Sequence, residues 1–268
     1  MNEKRMLLLS FFVVAFLMFL LAGWYYFSQQ KQAAEVVVDR NYDYVMKNDP
    51  IGQNKQAQTD YYTLVLSWSP AFCERQRQQY GDNLPTSLQY QCGLTQQFGW
   101  IVHGLWSQNK QARRVSDHPR FCQGDLPKLP QELIERYLPE MPSAGLLQGE
   151  WEKHGACMFN NAQDYFEKIK NLYRTLKLPN YELSRTELFK WTRKNNPQLK
   201  DVYLGAARNE LFICYDLDWQ IMDCPSSRTG YQSNNSTWIN EMCNPEFEPL
   251  NSGYKLLSYG YNANSFYF

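Results

Sequence analysis

FGWIVHGLW, residues 98–106, is a short apolar run rich in aromatic and β-branched residues, and it reads as a buried strand. Upstream, YYTLVLSW (61–68) has the same character and reads as a second strand. Residues 74–97 between them are polar and turn-rich and are bounded by Cys73 and Cys92. Downstream, 107–130 is irregular, with Pro119, Pro127 and Pro130. Helices follow. PQELIERYL opens with Pro130 just ahead of a periodic run. SAGLLQGEWEKHGACMF sets Leu147, Trp151, His154 and Met158 three and four apart, which predicts one helical face. AQDYFEKIKNLYRTL is strongly amphipathic and is followed by Pro179. SRTELFKWTRKN opens on Ser184, with Glu187 completing a capping box. Strand character returns in DVYLGAARNELFICYDL and then WQIMDC, a predicted hairpin. Helices and strands segregate rather than alternate, so the expected fold is α+β: a mainly antiparallel central sheet flanked by several helices, in one domain.

The ends of the chain read differently. Residues 6–27, MLLLSFFVVAFLMFLLAGWYYF, form one uncharged apolar run, long enough to cross a hydrocarbon core of roughly 30 Å. Lys4 and Arg5 precede it, and Trp24, Tyr25 and Tyr26 close it like an interfacial belt, which places the charged end in the cytoplasm. A cleaved signal has a shorter apolar region and a small-residue cleavage motif. Residues 1–27 are therefore expected to be an uncleaved signal anchor rather than a signal peptide. Residues 28–59, rich in Gln, Asn, Lys and Asp, are expected to be a polar tether, and 60–268 the domain outside the cytoplasm. Seven cysteines, with no Cys-x-x-Cys pair, read as disulfide partners in an exported protein. An odd number leaves one thiol over, and spacing does not select the pairs.

Lys and Arg total 27, and so do Asp and Glu. That balance speaks against a long groove that tracks a nucleic-acid backbone, but not against a small site that handles one or two nucleotides. The three histidines are then informative. His118, in SDHPR, reads as an exposed loop residue. His154 lies four residues after Glu150 on a helix, so the two are neighbours, and Lys153 is close to both. A carboxylate beside an imidazole orients it and raises its pKa, while an ammonium can hold a phosphate. His103 sits on the apolar strand between Trp100 and Trp106, and Trp106 could offer a stacking face to a base. Each segment alone also reads as a packed core histidine. His103, His154 and Glu150 could also bind a metal, though the Lys153 ammonium disfavours a nearby cation.

Taken together, the two segments resemble the signatures of the ribonuclease T2 family. Trp100, His103, Gly104, Leu105 and Trp106 fit Trp-x-x-His-Gly-Leu-Trp. Glu150, Trp151, Lys153, His154, Gly155 and Cys157 fit His-Glu-Trp-x-Lys-His-Gly-x-Cys. The looser resemblance runs from Tyr61 to about Cys243. It implies an endoribonuclease acting on single-stranded RNA without metal or other cofactor, as a monomer. His154 would be the base that takes the 2′-hydroxyl proton and His103 the acid that protonates the 5′-oxygen. Glu150 and Lys153 would stabilise the phosphorane, and Trp106 and Trp100 would contact substrate. It also implies the disulfide Cys122–Cys157; Cys73–Cys92 and Cys214–Cys243 are the other expected pairs, which leaves Cys224 over.

Three positions depart from the family pattern. Gly149 stands where many members carry a phosphate-binding histidine. Either the site is weakened, in which case Gly149→His should raise activity, or the glycine leaves room for substrate; the first is the expectation adopted here. Ser107 replaces a proline, and Gln108 stands where some members have an aspartate near the base. The competing readings are a secreted metallohydrolase and a catalytically idle binding domain displayed at a membrane.

Overall fold

In the computed structural model the described residues are 16–21, 23, 38–93, 97–207 and 209–225. The chain divides into two units between Val37 and Val38. In the first, residues 16–21 and 23 are helical and exposed. No helix among the described residues is long and apolar enough to cross a membrane, and the rest of the expected membrane segment, 6–27, lies outside them. Cys243 lies outside them too.

The second unit is built on an antiparallel sheet. Strands β1 (Tyr61–Trp68), β2 (Trp100–Gln108), β3 (Gly205–Ala207) and β4 (Glu210–Tyr215) stand in the order β2-β1-β4-β3, and β5 (Ile221–Met222) pairs with β4. Leu64 pairs with Leu105 and Ile213, and Leu66 with Val102 and Leu211. Pairing puts these six side chains on one face. All are fully buried, in one core with Ile134, Leu147, Phe166 and Ile169 of the helices. Each such side chain taken from water contributes about 1.5–3 kcal/mol.

The expected helices form, with named ends. They are α3 (Gln131–Tyr137), α4 (Ala144–Lys153), α5 (Ala162–Arg174) and α6 (Arg185–Asn195). Asn161 caps α5 by accepting from the Asp164 N–H, and Ser184 and Glu187 form the expected box on α6. Helix α5 also closes the outer edge of β2. The Tyr165 hydroxyl meets both the N–H and the carbonyl of Leu105 at 3.2 Å, Tyr173 donates to the Trp100 carbonyl at 2.7 Å, and the Val102 N–H donates to the Glu140 carbonyl.

Three expectations are corrected. The turn-rich reading of 74–97 gives way to two helices, α1 (Ser69–Tyr80) and α2 (Thr86–Cys92), joined by the Cys73–Cys92 disulfide. Helix α1 buries only Ser69 and Cys73, so it carries no apolar period to be read. Residues 38–59, expected to belong to the tether, are part of the second unit, which begins at Val38. Tyr42 and Tyr44 are buried, Tyr42 donates to the Leu129 carbonyl, and Asn54 forms a β-bridge with Arg120. Finally, Cys122–Cys157 forms as expected, but Cys214 pairs with Cys224 rather than Cys243. The hairpin explains this. Cys214 lies opposite Met222 in the β4–β5 register, so Cys224 returns beside it with the two Cα atoms 5.1 Å apart.

Candidate active site

The site grows from an irregularity in β2. Val65 faces Gly104 while the next residue, Leu66, faces Val102, so His103 is an extra residue, a β-bulge. Residues three apart on a regular strand point to opposite faces. The bulge resets that alternation and brings His103 and Trp106 to the same face, away from the main core, with ring centroids 5.4 Å apart and nearly perpendicular. Trp100, before the bulge, points the other way. It packs against Trp68 and the edge of the core, so it does not join the histidines.

Helix α4 supplies the opposite wall. Ser143 caps its start, accepting from the Leu146 N–H. The predicted continuous helix through Met158 does not form: α4 stops at Lys153, His154 takes φ −125°, and a 3-10 turn follows over Gly155–Cys157. A side chain at Gly155 would meet Trp151 at 2.7 Å and Tyr165 at 2.8 Å, so close packing requires glycine here. The Cys122–Cys157 bridge and a hydrogen bond from the Phe121 N–H to the Lys153 carbonyl fix the turn. His154 therefore leaves the helical face predicted for it and stacks on Trp106, centroids 5.4 Å apart and planes 29° apart.

Glu150 lies beside His103 and Trp106. One carboxyl oxygen accepts from the Trp106 indole N–H at 2.7 Å; the other is 3.7 Å from His103 Nε2. A side chain on Gly104 would strike this carboxyl group, which explains the glycine after His103. Trp106 is thus held by its polar edge and has one face on an imidazole.

Four contributors were not legible as site residues. Glu210, at the start of β4, bonds His103 Nδ1 at 2.7 Å; a charged residue opening an apolar strand was the one available signal. Asp49 comes from the segment read as a tether. It pairs with Arg120 at 3.0 Å and with Lys153 at 3.5 Å, and it accepts the Tyr44 hydroxyl. The Lys153 ammonium also lies 4.4 Å over the Tyr44 ring. The Tyr44 ring fills the space at Gly149, 3.3 Å from where a β-carbon would stand. His118 is not the exposed residue expected: it is half-buried and accepts from the Asn109 N–H.

The electrostatics separate the two imidazoles. Burial pulls His103 down, but the hydrogen bond and charge of Glu210, aided by Glu150, outweigh it and its pKa is raised. Burial drives His154 well below the ordinary imidazole value, and the charges of Arg120 and Lys153 add to the effect. Its Nδ1 is buried without a hydrogen-bond partner among the described residues. Burial raises Glu150 against the opposing charges of His103 and Lys153. Burial lowers Lys153, while Glu150 and Asp49 hold it up. The site can therefore present one protonated and one neutral imidazole beside a cation. Among the described residues no group of three or more His, Cys, Asp or Glu side chains could hold a metal ion.

Residues 59–189 match the ribonuclease T2 family. A probable ribonuclease of Haemophilus influenzae is 63% identical over 186 residues, which is 69% of this chain and 68% of that protein. A ribonuclease of Aeromonas hydrophila is 31% identical over 115 residues, 42% of this chain and 44% of its own. Among solved structures, an RNase-related protein from Calystegia sepium aligns with 66% of this chain and 96% of its own, with a TM-score of 0.47 and 21% identity. By its match over the two histidine segments and its close relative, the chain belongs to the ribonuclease T2 family.

Proposed function

We propose that the chain is an endoribonuclease that cuts single-stranded RNA without metal, by attack of the 2′-hydroxyl on the adjacent phosphorus. His154, kept neutral by its surroundings, takes the 2′-hydroxyl proton as the 2′-oxygen bonds to phosphorus. His103, kept protonated by Glu210, gives its Nε2 proton to the departing 5′-oxygen. The product is a 2′,3′-cyclic phosphate. In a second step water attacks the cyclic ester with the roles reversed, leaving a 3′-phosphate. Lys153 faces the charge that develops on the phosphoryl oxygens. Glu150, fixed by Trp106, stabilises the His103 imidazolium before transfer. A positioned acid or base contributes roughly 10²–10⁴ in rate.

The observation that carries this reading is the placement of two imidazoles on one ring, each 5.4 Å from Trp106, with His103 displaced upward and His154 downward. The protein acts as a monomer outside the cytoplasm, carried there and tethered by residues 6–27; the three disulfides among the described residues suit an oxidising compartment. The test is incubation of the purified protein with single-stranded RNA and DNA, with and without excess chelator. RNA alone should be cut, chelator should leave the rate unchanged, and cyclic phosphate should precede 3′-phosphate. Cleavage of DNA or full inhibition by chelator refutes the scheme.

A further inference from the structure

We infer that Arg120 joins Lys153 in a phosphate-binding subsite, and that the Asp49 carboxylate fills this subsite until a phosphate of the substrate replaces it. The inference deepens the proposed function, since it rests on Lys153 facing phosphate.

The geometry is that of two cations sharing one anion. An Arg120 guanidinium nitrogen stands 3.0 Å from both Asp49 oxygens, and the Lys153 ammonium 3.5 Å from one of them. Side-chain exposures are 6%, 16% and 4% for Arg120, Lys153 and Asp49. Two desolvated cations need an anion, and guanidinium matches carboxylate and phosphate alike. Arg120 also borders the reaction centre: after burial, its charge is the largest influence on the His154 ring, ahead of Lys153. The Cys122–Cys157 bridge, two residues along from Arg120, ties its segment to the catalytic turn.

Asp49 is placed to leave. Its segment belongs to no strand of the sheet: a 3-10 turn, Met46–Asn48, leads to a bend in which Lys47, Asn48, Pro50 and Ile51 are exposed. Beyond the two cations, Asp49 is held by the Tyr44 hydroxyl and by the Ile51 and Gly52 N–H groups. The movement required is confined to the exposed bend, since Tyr44 before it is buried and Asn54 after it is bridged to Arg120; such short exposed segments open at low free energy. An RNA phosphate can then enter as the carboxylate swings out, with the total charge buried between Arg120 and Lys153 little changed. A carboxylate competing with substrate lowers affinity by the fraction of time it occupies the site.

The test uses the full chain and inorganic phosphate, titrated calorimetrically. Asp49→Asn keeps the shape and the turn-forming oxygen but removes the charge. It should bind phosphate about tenfold or more tighter than the unsubstituted protein, the size of one charge-assisted contact. Adding Arg120→Gln should remove the gain. Hydrogen exchange on the unsubstituted protein is the second measurement: saturating phosphate should speed exchange of the Ile51 and Gly52 amides. Equal or weaker phosphate binding by a folded Asp49→Asn protein overturns the inference. So does unchanged exchange at Ile51 and Gly52, which decides the matter even if the variant does not fold. Neither readout needs RNA cleavage, so failure of the proposed activity is seen separately.

Discussion

His103 on β2 reaches over the intervening strand β1 to Glu210 on β4, and the two side chains meet at 2.7 Å. The carboxylate accepts, so Nδ1 carries a proton and Nε2 is the nitrogen turned toward Glu150. This fixes the tautomer that a proton donor at Nε2 requires.

The first prediction is the pH profile of kcat/KM. His154 must be neutral and is displaced downward, so the acidic limb falls below the ordinary imidazole value of about 6.5. His103 must be protonated and is displaced upward, so the basic limb lies above about 6.5. The profile is a broad bell. Glu210→Gln should move only the basic limb, downward, because it keeps a hydrogen-bond acceptor and loses the charge. A shift of the acidic limb instead would mean that His103 titrates below His154, against the directions their surroundings impose.

The second concerns the imidazoles themselves. His103→Ala and His154→Ala should each lower kcat by at least about 10², the lower end for a positioned acid or base. Steady-state kinetics on a dinucleotide checks this. Combined, the two changes should cost far less than the product of their separate effects, since the groups act as a unit.

Gly149 carries the third. The expected gain from Gly149→His is revised, because the Tyr44 ring occupies the space a histidine would enter. The single change should lower kcat/KM and the melting temperature, overpacking of this kind costing about 1–3 kcal/mol. Gly149→His with Tyr44→Ala should recover part of both. A single variant of normal melting temperature and raised activity contradicts the crowding.

Fourth, non-reducing peptide mapping should recover Cys214 with Cys224. Replacing both by serine should cost about 2–3 kcal/mol, the value for closing so short a loop, and urea denaturation measures it. A Cys214–Cys243 peptide would reinstate the pairing expected from sequence.

Fifth, burial pushes Glu152 up to about 7 from an ordinary 4.5, against the Gln148 and Leu126 donors. Its folded pKa is raised, so the stability it contributes is full below 4.5 and is lost as pH rises through about 7. The loss amounts to roughly 3 kcal/mol, about 1.4 kcal/mol for each pH unit between the two values. Melting temperature should fall over that window, and Glu152→Gln should flatten the fall.

What the sequence told and withheld follows the range of the interactions. The two signature segments, the capped helix at Ser184 and the individual strands could be read because neighbours a few residues apart create them. The bulge at His103 could not, since it exists only in register with Val65 and Leu66. Nor could Asp49, 71 residues from Arg120, inside a stretch whose polar composition resembles a linker. Glu210 needed the order β2-β1-β4 before it could face His103. Helix α4 was overextended because periodicity continues through Met158, while tight packing at Gly155 ends it.

The tyrosines along β2 have a consequence for the protein in company. A sheet edge with free amides and carbonyls is a template for another chain, and proteins suffer aggregation where such an edge is left open. Among the described residues the strand that carries His103 is an edge strand. Tyr165 and Tyr173 take up the groups that such a neighbour would need. Phenylalanine at 165 would leave the Leu105 N–H and carbonyl without the partner that Tyr165 gives them. The price of placing the proton donor on a border strand is thus met by two hydroxyl groups, which keep that strand unavailable for assembly.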